Sequence, residues 1–203
     1  MERQRRFLNV GGNSKAIGVP AHYKGWAHLL LDIDPTGKPD IVCDAREMTT
    51  LEGRQFDAIY CSHNLEHFFE HDVPKVLDGF MHVLRDDGFA EIRVPDIQQL
   101  MREATDKNLD IEDRLYDSGA GPVRVRDVLY GFAPQIARSG VDFYAHKTGF
   151  SPASLKRALA RAGFEAAMTL KPRAYEIAVV AFRKPPTPEI AAILAPASLA
   201  PAG

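Results

Sequence analysis

Short apolar runs recur along the first half of the chain, at 7–10, 28–32, 40–43, 56–61 and 89–94. Each has strand length and is bounded by turn-forming residues. Between the fourth and fifth runs, Val73, Val76, Leu77, Phe80, Val83 and Leu84 keep the i, i+3, i+4, i+7 spacing of a helix with one buried face. Pro74 falls in its first turn, where a missing N–H costs little. Asp87-Gly88 turns the chain into a strand from Phe89 to Val94 that stops at Pro95. Asp96 then either caps a helix beginning near Ile97 or, at the tip of that strand, touches a ligand. A later helix has Ser151 as N-cap, Pro152 as first helical residue, Leu155, Ala158, Leu159 and Ala162 as its apolar stripe, and Gly163 as stop. Two final strands, 164–170 and 175–182, are joined by Lys171-Pro172-Arg173, a link short enough for an antiparallel hairpin. Strands alternating with helices predict an α/β fold on a mainly parallel sheet.

The rhythm breaks twice. Over 97–147 no strand pattern is visible, and a helix is expected from about Val125 to Ala137. This block reads as a helical cap inserted before the last helix. From Lys184 the chain is rich in proline and alanine, so 184–203 reads as a flexible tail with at most a transient helix near Ile190 to Leu194. Residues 1–183 then form a single domain, in keeping with a length of 203 residues. A net charge of −2 argues against nucleic-acid binding through bulk positive field. No apolar stretch approaches a membrane span, and no secretory leader is visible, so a cytoplasmic location is expected. Cys43 and Cys61, the only cysteines, sit in strand-like runs and read as buried free thiols.

Candidate chemistry begins at the first strand. Phe7-Leu8-Asn9-Val10 breaks on Gly11-Gly12-Asn13, and Leu29-Leu30-Leu31 ends on Asp32, 21 residues after Gly11. A strand, a glycine turn and an acid at the tip of the next strand, about 20 residues on, is how an open α/β sheet grips a nucleoside. The turn admits the ligand to the backbone, and the carboxylate takes ribose hydroxyls. Asp34 competes for that role but can instead pair with Lys38 or accept a backbone donor in the turn Pro35 to Gly37.

Six blocks in this order resemble the class I S-adenosylmethionine-dependent methyltransferases, in the branch of small bacterial enzymes called type 11. They are Leu8 to Lys15, Asp32, Asp44-Ala45, Phe56 to His67, Val83 to Phe89, and Gly149-Phe150-Ser151 with Ala162-Gly163-Phe164. The resemblance covers about 7–183. It implies a Rossmann-like, mainly parallel seven-stranded sheet ending in an antiparallel hairpin, S-adenosylmethionine as cofactor, and methyl transfer to a small-molecule acceptor, with an oxygen on a sugar or metabolite as the expected target. It implies cofactor contacts at Gly11, Gly12, Asn13, Asp32, Asp44, Ala45 and His63. The sequence departs from the family where Asn9 replaces an acid and where Asn13 and Lys15 replace glycines. Lys15 is harder to reconcile with a backbone that must hug the ligand there, and the first helix is interrupted by Gly18, Pro20 and Gly25. The alternative is therefore a non-catalytic binding module with an eroded cofactor site; a nicotinamide-dependent oxidoreductase is a more distant one.

His63 to His71 contains His-x-x-Glu-His twice in overlap, a zinc signature of inverted metalloproteases. Such a site needs a third protein ligand, and no metal is expected. His67 is expected either on the substrate side or, like His71, facing solvent or capping a helix, and for His71 the latter is expected. His146, in the aromatic and titratable stretch 141–148 that builds the family's acceptor pocket, is the first candidate for general base, with His67 second. Tyr116, Arg124, Arg126 and Tyr130 are further candidates for holding an anionic or sugar-like acceptor. The oligomeric state is not legible.

Overall fold

The computed structural model describes residues 3–119 and 121–198. The chain runs β1 (Arg6–Val10), β2 (Ala27–Asp32), β3 (Ile41–Val42), β4 (Phe56–Ser62), α1 (Val73–Val83), β5 (Leu84–Pro95) and α2 (Ile97–Asp106). It continues β6 (Arg114–Ser118), β7 (Gly121–Arg124), α3 (Val125–Tyr130), α4 (Ala133–Ser139), α5 (Pro152–Arg161), β8 (Ala166–Thr169), β9 (Glu176–Phe182) and α6 (Pro188–Leu194). Seven strands form one sheet in the order β3-β2-β1-β4-β5-β9-β8. All neighbours are parallel except β9, which runs antiparallel to both β5 and β8. From β1 the chain winds outward through β2 and β3, then returns to place β4 on the other side. The ends of β1 and β4 therefore flank the point where strand order reverses, where open α/β sheets bind ligands.

The strand pleat sorts the core into two layers. Leu8, Val10, Ile59, Cys61, Ala90, Ile92 and Ala181 face α1 and α5, joining Val76, Phe80, Leu155 and Leu159. Phe7, Ala58, Tyr60, Phe89, Val180 and Phe182 face the other way. The caps read from sequence are present: Asp96 accepts the Gln99 N–H at 3.0 Å, and Ser151 exchanges hydrogen bonds with Ser154.

Three segments differ from expectation. The first helix is absent: residues 11–26 hold only a 3₁₀ turn, Ala21–Tyr23, whose Tyr23 stacks on Phe7 at 4.4 Å between ring centroids. The open face is filled from the far end of the chain. The Pro/Ala-rich segment does not run loose through 198, because α6 buries Ile190 and Leu194 against this layer; residues 199–203 of the expected tail lie outside the described residues. The inserted cap is not all helical. β6 and β7 pair as a hairpin, and the helix expected over 125–137 is two helices. The break is at Gly131, which has φ +91° and faces the Tyr144 carbonyl so closely that no Cβ fits. Among the described residues, no helix is long and apolar enough to cross a membrane.

Candidate active site

A cavity of about 340 Å³ opens at the carboxyl ends of β1 to β4. Val10, Gly11, Asn13, Leu31, Asp32, Asp44, Ala45, His63 and His67 line it. Gly12 and His146 do not.

The bend after β1 is built by conformation and by one carboxylate. Gly11 and Asn13 lie in the left-handed region, with φ of +69° and +57°. Glycine adopts this freely and asparagine tolerates it. At Gly11 a Cβ would collide with the Asn64 side chain, so the β1 bend and the β4 loop touch only because Gly11 has none. Asp32 Oδ2 accepts the Asn13 N–H at 2.9 Å, and Oδ1 accepts the Asp34 N–H at 3.0 Å. Asp34 itself accepts the Thr36 N–H at 2.8 Å, the turn role foreseen for it. Lys15 does not crowd the site. Its Nζ is 2.8 Å from Asp40 Oδ1, and the residue is not part of the lining.

Asp44 caps the 3₁₀ helix Ala45–Thr50 by accepting the Arg46 N–H at 2.9 Å. The Arg46 guanidinium grips the same carboxylate and reaches toward Asp72, 3.4 Å away. Burial pushes the Asp44 pKa up, but the Arg46 contacts outweigh it and hold it below the usual carboxylate range. Sequence reasoning missed Arg46, whose tie to Asp72 joins segments far apart in the chain. Cys43 also lines the cavity and is only half-buried, unlike Cys61, which is fully buried.

The β4 loop brings histidines and carboxylates together. His63 sits at φ +50° with its N–H on the Arg93 carbonyl at 2.8 Å. Its ring lies 3.1 Å from Glu176 Oε1 and 3.4 Å from Glu66 Oε1. Burial alone would push its pKa down; the two carboxylates prevail and raise it to about 9. His67 has Nδ1 3.1 Å from the Ala145 carbonyl and Nε2 3.1 Å from the His63 carbonyl. Both nitrogens thus face carbonyl oxygens, and the neutral ring can donate to only one of them. His146 directs Nδ1 to the Val128 carbonyl at 2.9 Å and Nε2 toward Glu66, 3.9 Å away. It is not part of the cavity lining and meets the lining residue His67 edge to face at 5.0 Å. Burial pushes its pKa down.

Other expectations resolve locally. His71 is exposed and stacks on Phe69 at 5.7 Å. Arg124 and Arg126 pair with Glu112, Tyr116 stacks on Tyr175, and neither these residues nor Tyr130 lines the cavity. From the 141–148 stretch, Asp142, Phe143, Tyr144 and Lys147 do reach it. The His-x-x-Glu-His motif is not on an α-helix; Leu65–His67 is a single 3₁₀ turn.

The sheet is parallel but for one reversed strand, β9, and a cavity lined by Gly11 and Asp32 opens at its switch point, the place where open α/β sheets take ligands. The sequence profile of the family described as "Methyltransferase domain" matches residues 2–168, and the chain belongs to that family. It is an S-adenosylmethionine-dependent methyltransferase of class I. No curated protein matches the sequence significantly. Solved structures share the fold at low identity. A SAM-dependent methyltransferase from Archaeoglobus fulgidus is 15% identical, covering 88% of this chain and 86% of its own, with a TM-score of 0.55. A protein from Pyrococcus horikoshii OT3 is also 15% identical, with 91% and 84% covered and a TM-score of 0.55. The 1,6-didemethyltoxoflavin-N1-methyltransferase of Burkholderia thailandensis, solved with 1,6-didemethyltoxoflavin and S-adenosylhomocysteine, is 18% identical over 90% of this chain and 72% of its own, with a TM-score of 0.51.

Proposed function

We propose that the chain methylates an oxygen of a small hydroxylated acceptor, a sugar or related metabolite. One observation carries the reading: the same cavity is lined by Gly11, Asn13, Asp32 and Asp44 and by the aromatic and polar residues Phe69, Asp142, Phe143, Tyr144 and Lys147. In the first group, Gly11 and Asn13 supply backbone, Asp32 takes the ribose hydroxyls, and the Asp44-Ala45 turn with Arg46 borders the adenine. Gly12 shapes the bend without lining the cavity, and His63 passes beneath the reactive centre. S-adenosylmethionine, when bound, supplies an electrophilic methyl group on a sulfonium. The chain contributes alignment and exclusion of water: as the O–CH3 bond forms, the S–CH3 bond breaks to leave S-adenosylhomocysteine, and the hydroxyl proton passes to a basic group of the lining, for which the Asp142 carboxylate is available.

In the second group, Phe69, Phe143 and Tyr144 offer ring faces and Asp142 and Lys147 offer polar groups, with the two charges 3.1 Å apart. Such a wall suits a compact ring bearing hydroxyls. The cavity volume must hold the nucleoside as well, which limits the acceptor to a small molecule. The experiment is to incubate the full chain with methyl-labelled S-adenosylmethionine and a panel of small sugars, phenols, amines and carboxylates, reading transferred label. Transfer to hydroxyl compounds supports the assignment; transfer confined to nitrogen or carbon acceptors overturns it.

A further inference from the structure

Glu66 is a buried carboxylate, its side chain 1% exposed, and neither of its oxygens has a hydrogen-bond partner. An ionised group in that state is strongly disfavoured unless hydrogen bonds or cations answer its charge. His63, charged at neutral pH, stands 3.4 Å from Oε1 and answers part of this charge, but it is shared with Glu176 and leaves both Glu66 oxygens without a hydrogen bond.

Two further imidazoles converge on it. One donor atom each from Glu66, His67 and His146 lies within 4.8 Å of the other two. The His67 and His146 rings meet edge to face at 5.0 Å. A carbonyl only accepts, so His146 Nδ1 carries a hydrogen for Val128, and in the neutral ring Nε2 is a bare lone pair aimed at Glu66 Oε1. His67 poses the same conflict: a neutral ring has one N–H for two facing carbonyls. A positive ion shared by the carboxylate and the two rings relieves these contacts.

We propose that Glu66, His67 and His146 form a binding site for a divalent transition-metal ion of the zinc type. Two imidazoles and one carboxylate are a known donor set for zinc with a fourth position left open. The Val128 carbonyl holding His146 Nδ1 is the outer contact that fixes a ligating ring. Two donors about 2.1 Å from zinc stand about 3.4 Å apart at the tetrahedral angle, so the 3.9 Å gap between His146 and Glu66 closes with a small movement. The ion would tie the loop after β4 to the end of the inserted cap. Because His67 also lines the cavity, the open position is accessible to water or to an acceptor oxygen. His71, the last histidine of the overlapping motif, is not in this cluster, and its side chain is 76% exposed.

The test uses the full chain, purified without a histidine tag and stripped with chelator, titrated with Zn²⁺ in a calorimeter with neither cofactor nor acceptor present. One equivalent should bind. His67→Ala and His146→Ala should each weaken binding by at least about tenfold, whereas His71→Ala should not. Absence of stoichiometric binding, or binding unchanged in both cluster variants, overturns the proposal. Circular dichroism checks that each variant folds. The unmodified chain with Co²⁺ gives a reading that needs no variant. Intense visible bands of a low-coordinate site support the proposal, and the weak spectrum of aqueous Co²⁺ overturns it. None of these readings depends on methyl transfer, so the site can fail while the enzyme assignment stands, and the reverse.

Discussion

Asp32 Oδ2 accepts the backbone N–H of Asn13 at 2.9 Å, so the acid ending β2 holds the bend that ends β1. One carboxylate thus shapes the bend and lines the cavity. Asp32→Ala should lose both functions. Hydrogen bonds to a charged group contribute about 1.5–3 kcal/mol, so S-adenosylhomocysteine should bind roughly ten- to a hundredfold more weakly. Calorimetry on both proteins checks this, and equal affinity would remove Asp32 from the site.

Gly11→Ala tests the contact between the bend and the β4 loop. The substitution forces a Cβ into the left-handed region, at about 1–2 kcal/mol, and into the Asn64 side chain. At about 2–4 °C per kcal/mol for a chain of this size, Tm should fall by at least a few degrees, with cofactor affinity falling alongside. A variant that melts and binds like the parent would show the close approach to be unimportant.

The docked C-terminal segment gives a third prediction. Leu194 is fully buried against the layer formed by Phe7, Tyr23 and Phe182. Leu194→Ala should destabilise the fold by about 2–5 kcal/mol, read as a shifted midpoint in urea. No shift would mean that α6 does not pack on the sheet in solution.

A fourth concerns acid. Burial pushes the pKa of Asp57 up, but hydrogen bonds from the Arg3 side chain and the Arg6 N–H, with the charges of Arg3 and Arg85, prevail and hold it below the usual carboxylate range. The folded pKa is therefore the lower one. Its contribution is complete above the unfolded carboxylate pKa, about 4, and is lost as pH falls through the folded value. Asp57→Asn should be less stable than the parent at pH 7, and the gap should narrow below pH about 4. A gap independent of pH would contradict this.

Much of this architecture was legible because it is written locally. The β1 turn, Asp32, Asp96 and Ser151 each act on atoms within a few residues or on an adjacent strand, and spacing reveals them. What was missed depends on distant partners. Nothing near Arg46 announces Asp72, and nothing near His146 says that its ring turns toward Glu66. The β6–β7 hairpin escaped notice because its residues are mostly half-exposed or exposed, leaving no apolar alternation to detect. The helix near Ile190 to Leu194 was expected, but with only those two residues buried its stripe is too sparse to announce that α6 docks on the sheet.

The most direct test of the central claim is a crystal structure of the full chain with S-adenosylhomocysteine. The account predicts the ribose hydroxyls on the Asp32 carboxylate, with the nucleoside lying over Gly11 and beside Ala45. Ligand bound elsewhere, or a cavity that stays closed to it at saturating concentration, would contradict the account.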